Sequence, residues 1–148
     1  MAIGVFGLQV AYRLKRLEVM STTNTHGWFG AGLSSPPITY HSSVDRIDFS
    51  NDTGTANVRG PLSLAKTDPG ATGNSNYGWF AGGNIGPTYT STVDRIDFSN
   101  DSTTASPRSS ISTIRAYLAA TGNSNYGWFG GGRNPAIFFN STSYRLFK

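Results

Sequence analysis

Short stretches of this chain carry the alternation of apolar and polar residues that is typical of β-strands. The stretch Thr88–Phe98, TYTSTVDRIDF, alternates β-branched with polar residues. The stretch Tyr126–Gly132, YGWFGGG, is the most apolar and ends in glycines, and Thr113–Thr121, TIRAYLAAT, is a second apolar stretch. We predict that each of the three is a strand.

Turn-forming residues separate these stretches. The sequence SNDS follows Phe98, and GNSNYG precedes the aromatic stretch, where Gly122-Asn123 allows the positive φ of a tight turn. The polar stretch TTASPRSSIS comes directly after SNDS and contains Pro107. Because proline cannot donate a backbone hydrogen bond, we predict that this stretch is an edge strand.

The same blocks recur in phase along the chain. GWFGAG begins at Gly27, GWFAGG at Gly78 and GWFGGG at Gly127, so their tryptophans are 51 and 49 residues apart. A second block occurs as SSVDRIDFSND, as STVDRIDFSND and, shortened, as STSYRLFK. A period near 50 residues is the length of one four-stranded propeller blade, which cannot bury both of its faces alone.

The repeat divides the chain into segments of one all-β domain. The length of 148 residues favours a single domain. We predict one repeat domain over 1–148, with strands that complete a blade at 1–26, a first unit at 27–77, a second at 78–126 and a partial third at 127–148.

A double glycine follows the aromatic strand in each repeat. It occurs as Gly82-Gly83 and Gly131-Gly132, and in altered form as Gly30-Ala31-Gly32. Since glycine weakens a strand unless other backbone approaches closely, we expect tight packing between neighbouring units here. The Trp and Phe just before it point to opposite faces, so one should contact the preceding unit and the other the following unit.

These features resemble the kelch repeat. The second strand of that repeat matches Val44-Asp45 and Val93-Asp94, and its arginine matches Arg115, with Lys66 at the equivalent place in the preceding unit. The resemblance implies a kelch-like β-propeller, although the tryptophan of the outer strand is absent from TGTANVRGPLS and STTASPRSSIS. The sequences of the repeats, with VDRIDFSNDT and AATGNSNYGWFGGG, also resemble repeats in structural proteins of marine bacteriophages.

The chain holds about three blades. Its third unit ends after its second strand, and residues 1–26 have the length of the missing outer and return strands. Propellers usually have four to eight blades, so we expect a second chain to complete the ring in a homodimer or higher homo-oligomer. The alternative is that the chain is a fragment of a longer repeat protein.

Composition and charge exclude several classes of function. The chain has no cysteine, which rules out disulfides and thiolate chemistry. The net charge is only +4, and no run of Lys or Arg alternates with aromatic residues, so we expect no nucleic-acid partner. The apolar residues 1–12 are too few to span a bilayer, and we expect no membrane insertion.

Candidate catalytic and metal-binding residues are sparse. His26 and His41 occupy different places in their repeats and have no carboxylate at metal-ligand spacing, so we predict no metal and no cofactor. Four aspartates recur on the VDRID strands, where a structural ion pair or turn explains them better than catalysis does. They are Asp45, Asp48, Asp94 and Asp97.

The loop after each double glycine differs most between repeats, reading LSSPPITYHSS, NIGPTYTST and RNPAIFFNSTS. Loops on a rigid scaffold commonly carry binding residues, and aromatic side chains supply contact area. Simple drift of turn sequences is the alternative. The candidate binding residues are Tyr40, His41, Tyr89, Arg133, Phe138 and Phe139.

These observations favour a protein that binds rather than catalyses. We predict a non-enzymatic structural or decoration protein of a virion, on the capsid or tail, that contacts a host-surface glycan or another virion protein. The first alternative is a kelch-like protein-interaction propeller, extracellular or cytoplasmic, with no virion role. A propeller enzyme is the second alternative, and the absence of a clustered set of histidines and carboxylates counts against it.

Overall fold

The computed structural model describes residues 25–51 and 53–135 and the backbone of 143–147. These residues form an all-β structure without a helix, as predicted. The strands are β1 His26–Gly30, β2 Leu33–Ser34, β3 Thr39–Tyr40, β4 Val44–Asp48, β5 Asn57–Arg59, β6 Gly70–Gly73, β7 Tyr77–Ala81, β8 Val93–Asp97, β9 Ser106–Arg108, β10 Ala119–Gly122, β11 Tyr126–Gly130 and β12 Ser143–Phe147. The described residues contain no helix long and apolar enough to cross a membrane.

The strands form three successive antiparallel sheets and one small hairpin. The first sheet has the order β1-β4-β5, the second β6-β7-β8-β9 and the third β10-β11-β12. Strands β2 and β3 pair separately as the hairpin. Because β6 and β10 pair with the strands that follow them, each of these sheets begins one strand before the Gly-Trp-Phe block.

Two of the predicted strands are shorter in the structure, and one prediction is largely wrong. Thr88–Phe98 contributes only Val93–Asp97 to a sheet, and Tyr126–Gly132 contributes Tyr126–Gly130. Most of Thr113–Thr121 is not a strand, because the sheet begins at Ala119. The preceding residues instead connect two sheets, and the amide of Tyr117 donates to the carbonyl of Asp68, 3.0 Å away.

The edge strand predicted around Pro107 is confirmed. Strand β9 lies at the end of the second sheet, and Pro107 pairs with Asp94 of β8 on its one hydrogen-bonded side. The missing donor of the proline is therefore tolerated because no further strand of the described residues pairs beyond β9.

Each sheet has two distinct faces, because side chains alternate along its strands. We call the side that carries the tryptophan of the repeat the Trp face and the opposite side the Phe face. The Trp faces carry Trp28, Trp79 and Trp128, and the Phe faces carry Phe29, Phe80 and Phe129.

The Trp face of one sheet packs on the Phe face of the next. Val44 on the Trp face of the first sheet is in one buried cluster with Phe80 and Ile96 on the Phe face of the second. Trp28 also stacks on Phe98, with ring centroids 3.7 Å apart. The prediction that Trp and Phe contact units on opposite sides is thus confirmed at this junction, and the structure shows that Trp contacts the following unit and Phe the preceding one.

The junction between the second and third sheets repeats this arrangement. Trp79, Ala81 and Val93 on the Trp face of the second sheet form a buried cluster with Phe129 of the third, and Ile111 completes it. Full burial of an apolar side chain of this size contributes roughly 1.5–3 kcal/mol to folding. These two junctions are therefore the main apolar cores of the described residues.

The close approach of other backbone that was predicted at the double glycine is confirmed at Gly82-Gly83. Gly82 and Gly83 have φ values of +66° and +119°. A Cβ on Gly82 would lie 2.4 Å from the carbonyl oxygen of Arg115. The amide of Gly83 donates to the same oxygen at 2.8 Å. Both the backbone conformation and the space therefore require glycine at the point where the next connecting segment crosses.

Candidate binding surface

One of the repeated aspartates forms a buried ion pair. Asp94 and Lys66 are fully buried, and the Lys66 Nζ lies 3.0 Å from Asp94 Oδ2. Ser63 Oγ donates to the other carboxylate oxygen at 2.5 Å. Burial lowers the pKa of Lys66, and the charge of Asp94 opposes that effect. This aspartate holds the connecting segment of Lys66 to its sheet and confirms the structural interpretation.

A buried cation recurs at the equivalent place in the next repeat. Arg115 lies 49 residues after Lys66 and is also buried. Its Nη1 donates to the carbonyl of Gly131 at 2.9 Å, and its Nη2 donates to Thr113 Oγ1 at 2.6 Å. The arginine matched to the kelch repeat therefore stabilises the connection between sheets.

Asp101 joins the first and second sheets. Its Oδ2 accepts hydrogen bonds from Trp28 Nε1 at 2.8 Å and from Arg46 Nη1 at 3.1 Å. The guanidinium of Arg59 lies 3.5 Å from the same oxygen. Arg46 of the first VDRID strand is thus directed to a structural contact between sheets.

Asp48 and Asp97 organise the turns that follow their strands. Each accepts hydrogen bonds from the backbone amide and the hydroxyl of the serine two residues later, Ser50 and Ser99. The side-chain bond first and the backbone bond second lower the pKa of each aspartate. These two aspartates confirm the prediction of a repeated turn.

The two histidines have ordinary local contacts. His26 Nε2 lies 3.8 Å from a carboxylate oxygen of Asp48. His41 Nε2 is 2.9 Å from Ser34 Oγ, across the β2–β3 hairpin. Among the described residues, no three His, Asp or Glu side chains are grouped as a metal site would require.

Connecting segments bring residues from successive repeats together at one end of the second and third sheets. Asn84 forms bridges with Thr67 and with Tyr89. Ala116 pairs in the same way with Arg133, while the next residue, Tyr117, bonds to the backbone of Asp68. Asp68, Tyr89, Tyr117 and Arg133 therefore belong to segments that are hydrogen-bonded to one another.

The electrostatic environment of Tyr117 includes the side chains of Asp68, Tyr89 and Arg133. The pKa of Tyr117 is raised, first by the negative charge of Asp68, then by partial burial, Tyr89 and a hydrogen bond with Asp68. The positive charge of Arg133 acts in the opposite direction. Tyr117 is nevertheless 55% exposed. We call Asp68, Tyr89, Tyr117 and Arg133 the tyrosine cluster.

Two members of the tyrosine cluster have an unusual backbone conformation. Asp68 has a φ of +55° and Tyr117 a φ of +59°, in the left-handed region. The two residues are 49 positions apart and therefore equivalent in the repeat. A left-handed residue with a side chain costs roughly 1–2 kcal/mol. Such strained residues cluster at binding and active sites, which makes this position a candidate site.

The structure brings together only part of the predicted set of binding residues. Tyr89 and Arg133 belong to the tyrosine cluster. Tyr40 lies beside the loop of Tyr89, since its ring is 3.8 Å from where a Cβ on Gly86 would be. Phe138 and Phe139 lie outside the described residues.

Two of the residues in the cluster were missed by the reasoning from sequence. Tyr117 lies in Thr113–Thr121, which was interpreted as a strand, and Asp68 lies at the equivalent place in the preceding repeat, so their role in connecting segments was hidden. The signal that could have found them is the difference between repeats, because an aspartate and a tyrosine occupy one equivalent position. The same criterion identified the variable loops.

The tyrosine cluster combines apolar ring faces with groups that donate or accept hydrogen bonds. Tyrosine rings offer flat contact area with a hydroxyl at the tip. The carboxylate of Asp68 accepts hydrogen bonds, and the guanidinium of Arg133 donates them. A sugar ring, with hydroxyl groups at its edge and C–H groups on its face, matches this combination.

Comparison with known proteins shows the fold but no family. No family model and no curated protein matches the sequence. A solved structure of YjhT is similar, with a TM-score of 0.70 at 17% sequence identity, over 85% of this chain and 41% of the YjhT chain. The chain therefore spans well under two thirds of that protein, and at this identity the likeness concerns the fold alone.

Proposed function

We propose that the three sheets are blades of a kelch-like β-propeller whose ring is completed by a second chain. The second sheet is a four-stranded antiparallel meander, as a blade is. Successive sheets pack face to face through equivalent residues. The likeness to YjhT over 85% of the chain means that a similar arrangement of strands occurs in another protein.

We infer that the protein is non-enzymatic and binds a partner through the tyrosine cluster. The observation that carries this is the left-handed backbone at both Asp68 and Tyr117, kept by non-glycine residues that interact with each other. Ala31 has a φ of +71° as well, so a left-handed backbone alone does not mark a site. At Asp68 and Tyr117 it coincides with charged and aromatic side chains on hydrogen-bonded segments, which supports a binding role for these side chains. The repeated aspartates Asp94 and Asp101 are engaged in contacts between segments, so the cluster is the better candidate site.

The ligand class that fits best is a host-surface glycan. Exposed Tyr117 and half-buried Tyr89 supply aromatic surface next to a carboxylate and a guanidinium. The second candidate is another protein, because Tyr and Arg are also enriched at protein interfaces and Tyr40 extends the aromatic surface towards the first sheet.

The experiment for the glycan uses an array of bacterial cell-surface polysaccharides. Tyr117→Gly removes the exposed ring and relaxes the left-handed backbone, so it should abolish glycan binding without loss of stability. Ile114→Ser, in the same connecting segment and also exposed, is the matched control and should bind as the parent does. Equal binding by parent and Tyr117→Gly would refute the site.

The proposed location is a virion, as a capsid or tail decoration. This location is supported by the resemblance of the repeat sequences to repeats in structural proteins of marine bacteriophages. Immunogold labelling of purified phage particles with an antibody against the chain tests this directly. A chain found only in the extracellular medium or the host cytoplasm would favour the interaction propeller instead.

A further inference from the structure

The Phe face of the first sheet is exposed where its equivalents are buried. Phe29 is 59% exposed, whereas Phe80 at the same place in the second sheet is 4% exposed and Phe129 in the third is 0%. The three residues occupy one position of the repeat, and Phe29 and Phe80 also share the type of their cross-strand neighbour, Asp45 and Asp94. The difference is therefore not in the residue but in what lies over it.

The rest of this face follows the same rule. Phe49, after β4, is 57% exposed, whereas its equivalent Phe98 is stacked against Trp28. Ile47 is half-buried, whereas its equivalent Ile96 is buried. The surface made by Phe29, Ile47 and Phe49, which we call the open Phe face, is thus an apolar patch without a neighbouring sheet among the described residues.

The structure shows twice what covers such a face. Phe80 packs under Val44 and close to Gly30, which belong to the Trp face of the preceding sheet. Phe129 is covered in the same way by Val93 and Ala81. The chemistry that fits an open Phe face is therefore the Trp face of another sheet of this repeat.

The third sheet offers such a Trp face. Trp128 lies in the register position of Trp28 and Trp79, opposite Arg145 on β12. Trp128 and Gly130 are half-buried, and no further sheet of the described residues follows. The two ends of the described structure are thus complementary surfaces of the kind already packed together within the chain.

We propose that the open Phe face binds the Trp face of the third sheet of a second copy of this chain. Phe29 and Phe49 would then be covered as Phe80 and Phe98 are, with Phe49 stacked on Trp128 of the second copy. Such an interface uses different surfaces on its two sides, so it closes into a ring when the rotation allows it. The proposal rests on the proposed completion of the ring by a second chain, but it does not depend on the tyrosine cluster or on any ligand.

The first experiment measures mass by light scattering on the full chain. The parent should be a dimer, and Phe29→Asp should be a monomer, because a carboxylate would be buried in the interface. Val58→Asp is the matched control. Val58 is 75% exposed, and its equivalent Pro107 remains exposed although its sheet is covered, so this variant should stay dimeric.

The second experiment tests the head-to-tail pairing itself. Trp128→Ser should also be monomeric, because it damages the opposite surface. An equimolar mixture of Phe29→Asp and Trp128→Ser should regain dimers, because each variant retains the surface that the other lacks. Unchanged far-ultraviolet circular dichroism of both variants checks that the fold is intact.

Three results would overturn the proposal. A parent that is monomeric at high concentration would mean that residues of its own chain cover Phe29. A dimeric Phe29→Asp would place the interface elsewhere. A mixture that stays monomeric, while each variant is folded, would exclude the pairing of unlike faces.

Discussion

Several charged side chains of the described residues join segments that are distant in sequence. Lys66 and Asp94 form a buried pair, and Asp101 accepts from Trp28 and Arg46 of the preceding sheet. Opposite charges that are buried together are weak evidence for net stability, but removal of one partner leaves the other uncompensated. The buried pair therefore leads to a direct test.

Asp94→Ala should destabilise the protein by about 3–5 kcal/mol, because Lys66 would be left buried without its partner. Urea denaturation measures the change. Asp45→Ala is the matched control, since Asp45 is the repeat equivalent of Asp94 but is only half-buried. If both variants lose equal stability, the Lys66–Asp94 pair is not the cause.

The left-handed backbone at Tyr117 predicts a difference between two truncations of one side chain. Tyr117→Gly and Tyr117→Ala remove the same contacts, but only glycine adopts a φ of +59° without strain. Tyr117→Gly should therefore be the more stable of the two by about 1 kcal/mol. Thermal unfolding of both variants is the measurement, and equal melting temperatures would contradict the argument.

The turn aspartates predict a dependence of stability on pH. Hydrogen bonds from Ser50 and Ser99 lower the pKa of Asp48 and Asp97 below the ordinary 3.8. Their contribution is therefore present above that ordinary pKa and is lost as the pH falls through the lowered values. A Ser50→Ala/Ser99→Ala variant should be less stable than the parent at pH 7.

At a second, acid pH below the lowered pKa values, the same double variant should approach the parent in stability, because the parent has also lost the contribution of the ionised aspartates. Urea midpoints at the two pH values provide the measurement. An equal difference in urea midpoint between variant and parent at both pH values would show that the serine hydroxyls stabilise the turns independently of the charge on Asp48 and Asp97.

The strands share one register in all repeats, but their burial depends on their neighbours. Strands β1, β7 and β11 each pair with a VDRID-type strand in the same register. Trp79 is nevertheless buried, whereas Trp28 and Trp128 are half-buried. Equivalent residues of the three sheets therefore differ in their contribution to stability.

Trp79→Ala should cost roughly 3–5 kcal/mol in the free energy of unfolding, as truncation of a large aromatic side chain in a packed interior does. Denaturant unfolding followed by circular dichroism measures it. Val58→Ala, on the exposed strand β5, should change stability by less than about 0.5 kcal/mol. A loss below about 1 kcal/mol for Trp79→Ala would mean that this core is loosely packed.

At the scale of the whole molecule, the described residues form three sheets in succession, each packed on the next. Both buried clusters lie between sheets rather than within one. In such repeat structures, stability is approximately a sum of units and of interfaces between neighbours. In the proposed assembly, covering the open Phe face with a second copy would add an interface of the same kind.

Association between copies predicts a melting temperature that depends on concentration. Binding that occurs only in the folded state stabilises it by mass action, so the parent should melt at higher temperature as its concentration rises. Phe29→Asp should melt at one temperature over a hundredfold range of concentration. A parent without any such dependence would argue against assembly from more than one chain.

Local features of the fold followed from the sequence. The period of 51 and 49 residues, the aromatic strand, the edge strand at Pro107 and the crossing at Gly82-Gly83 all agree with the structure. These depend on side-chain polarity and backbone freedom at single positions, which the amino-acid pattern records. For the same reason, the candidate residues Tyr89 and Arg133 were recognisable as members of variable loops.

Contacts between segments about 50 residues apart did not follow from the pattern. The same phenylalanine of the repeat is exposed as Phe29 and buried as Phe80, because only the second has a sheet packed over it. Likewise, Tyr117 joins Asp68 only because two connecting segments meet in space and both adopt a left-handed backbone there. Sequence periodicity describes one unit at a time, whereas burial and the tyrosine cluster arise from the packing of one unit on another.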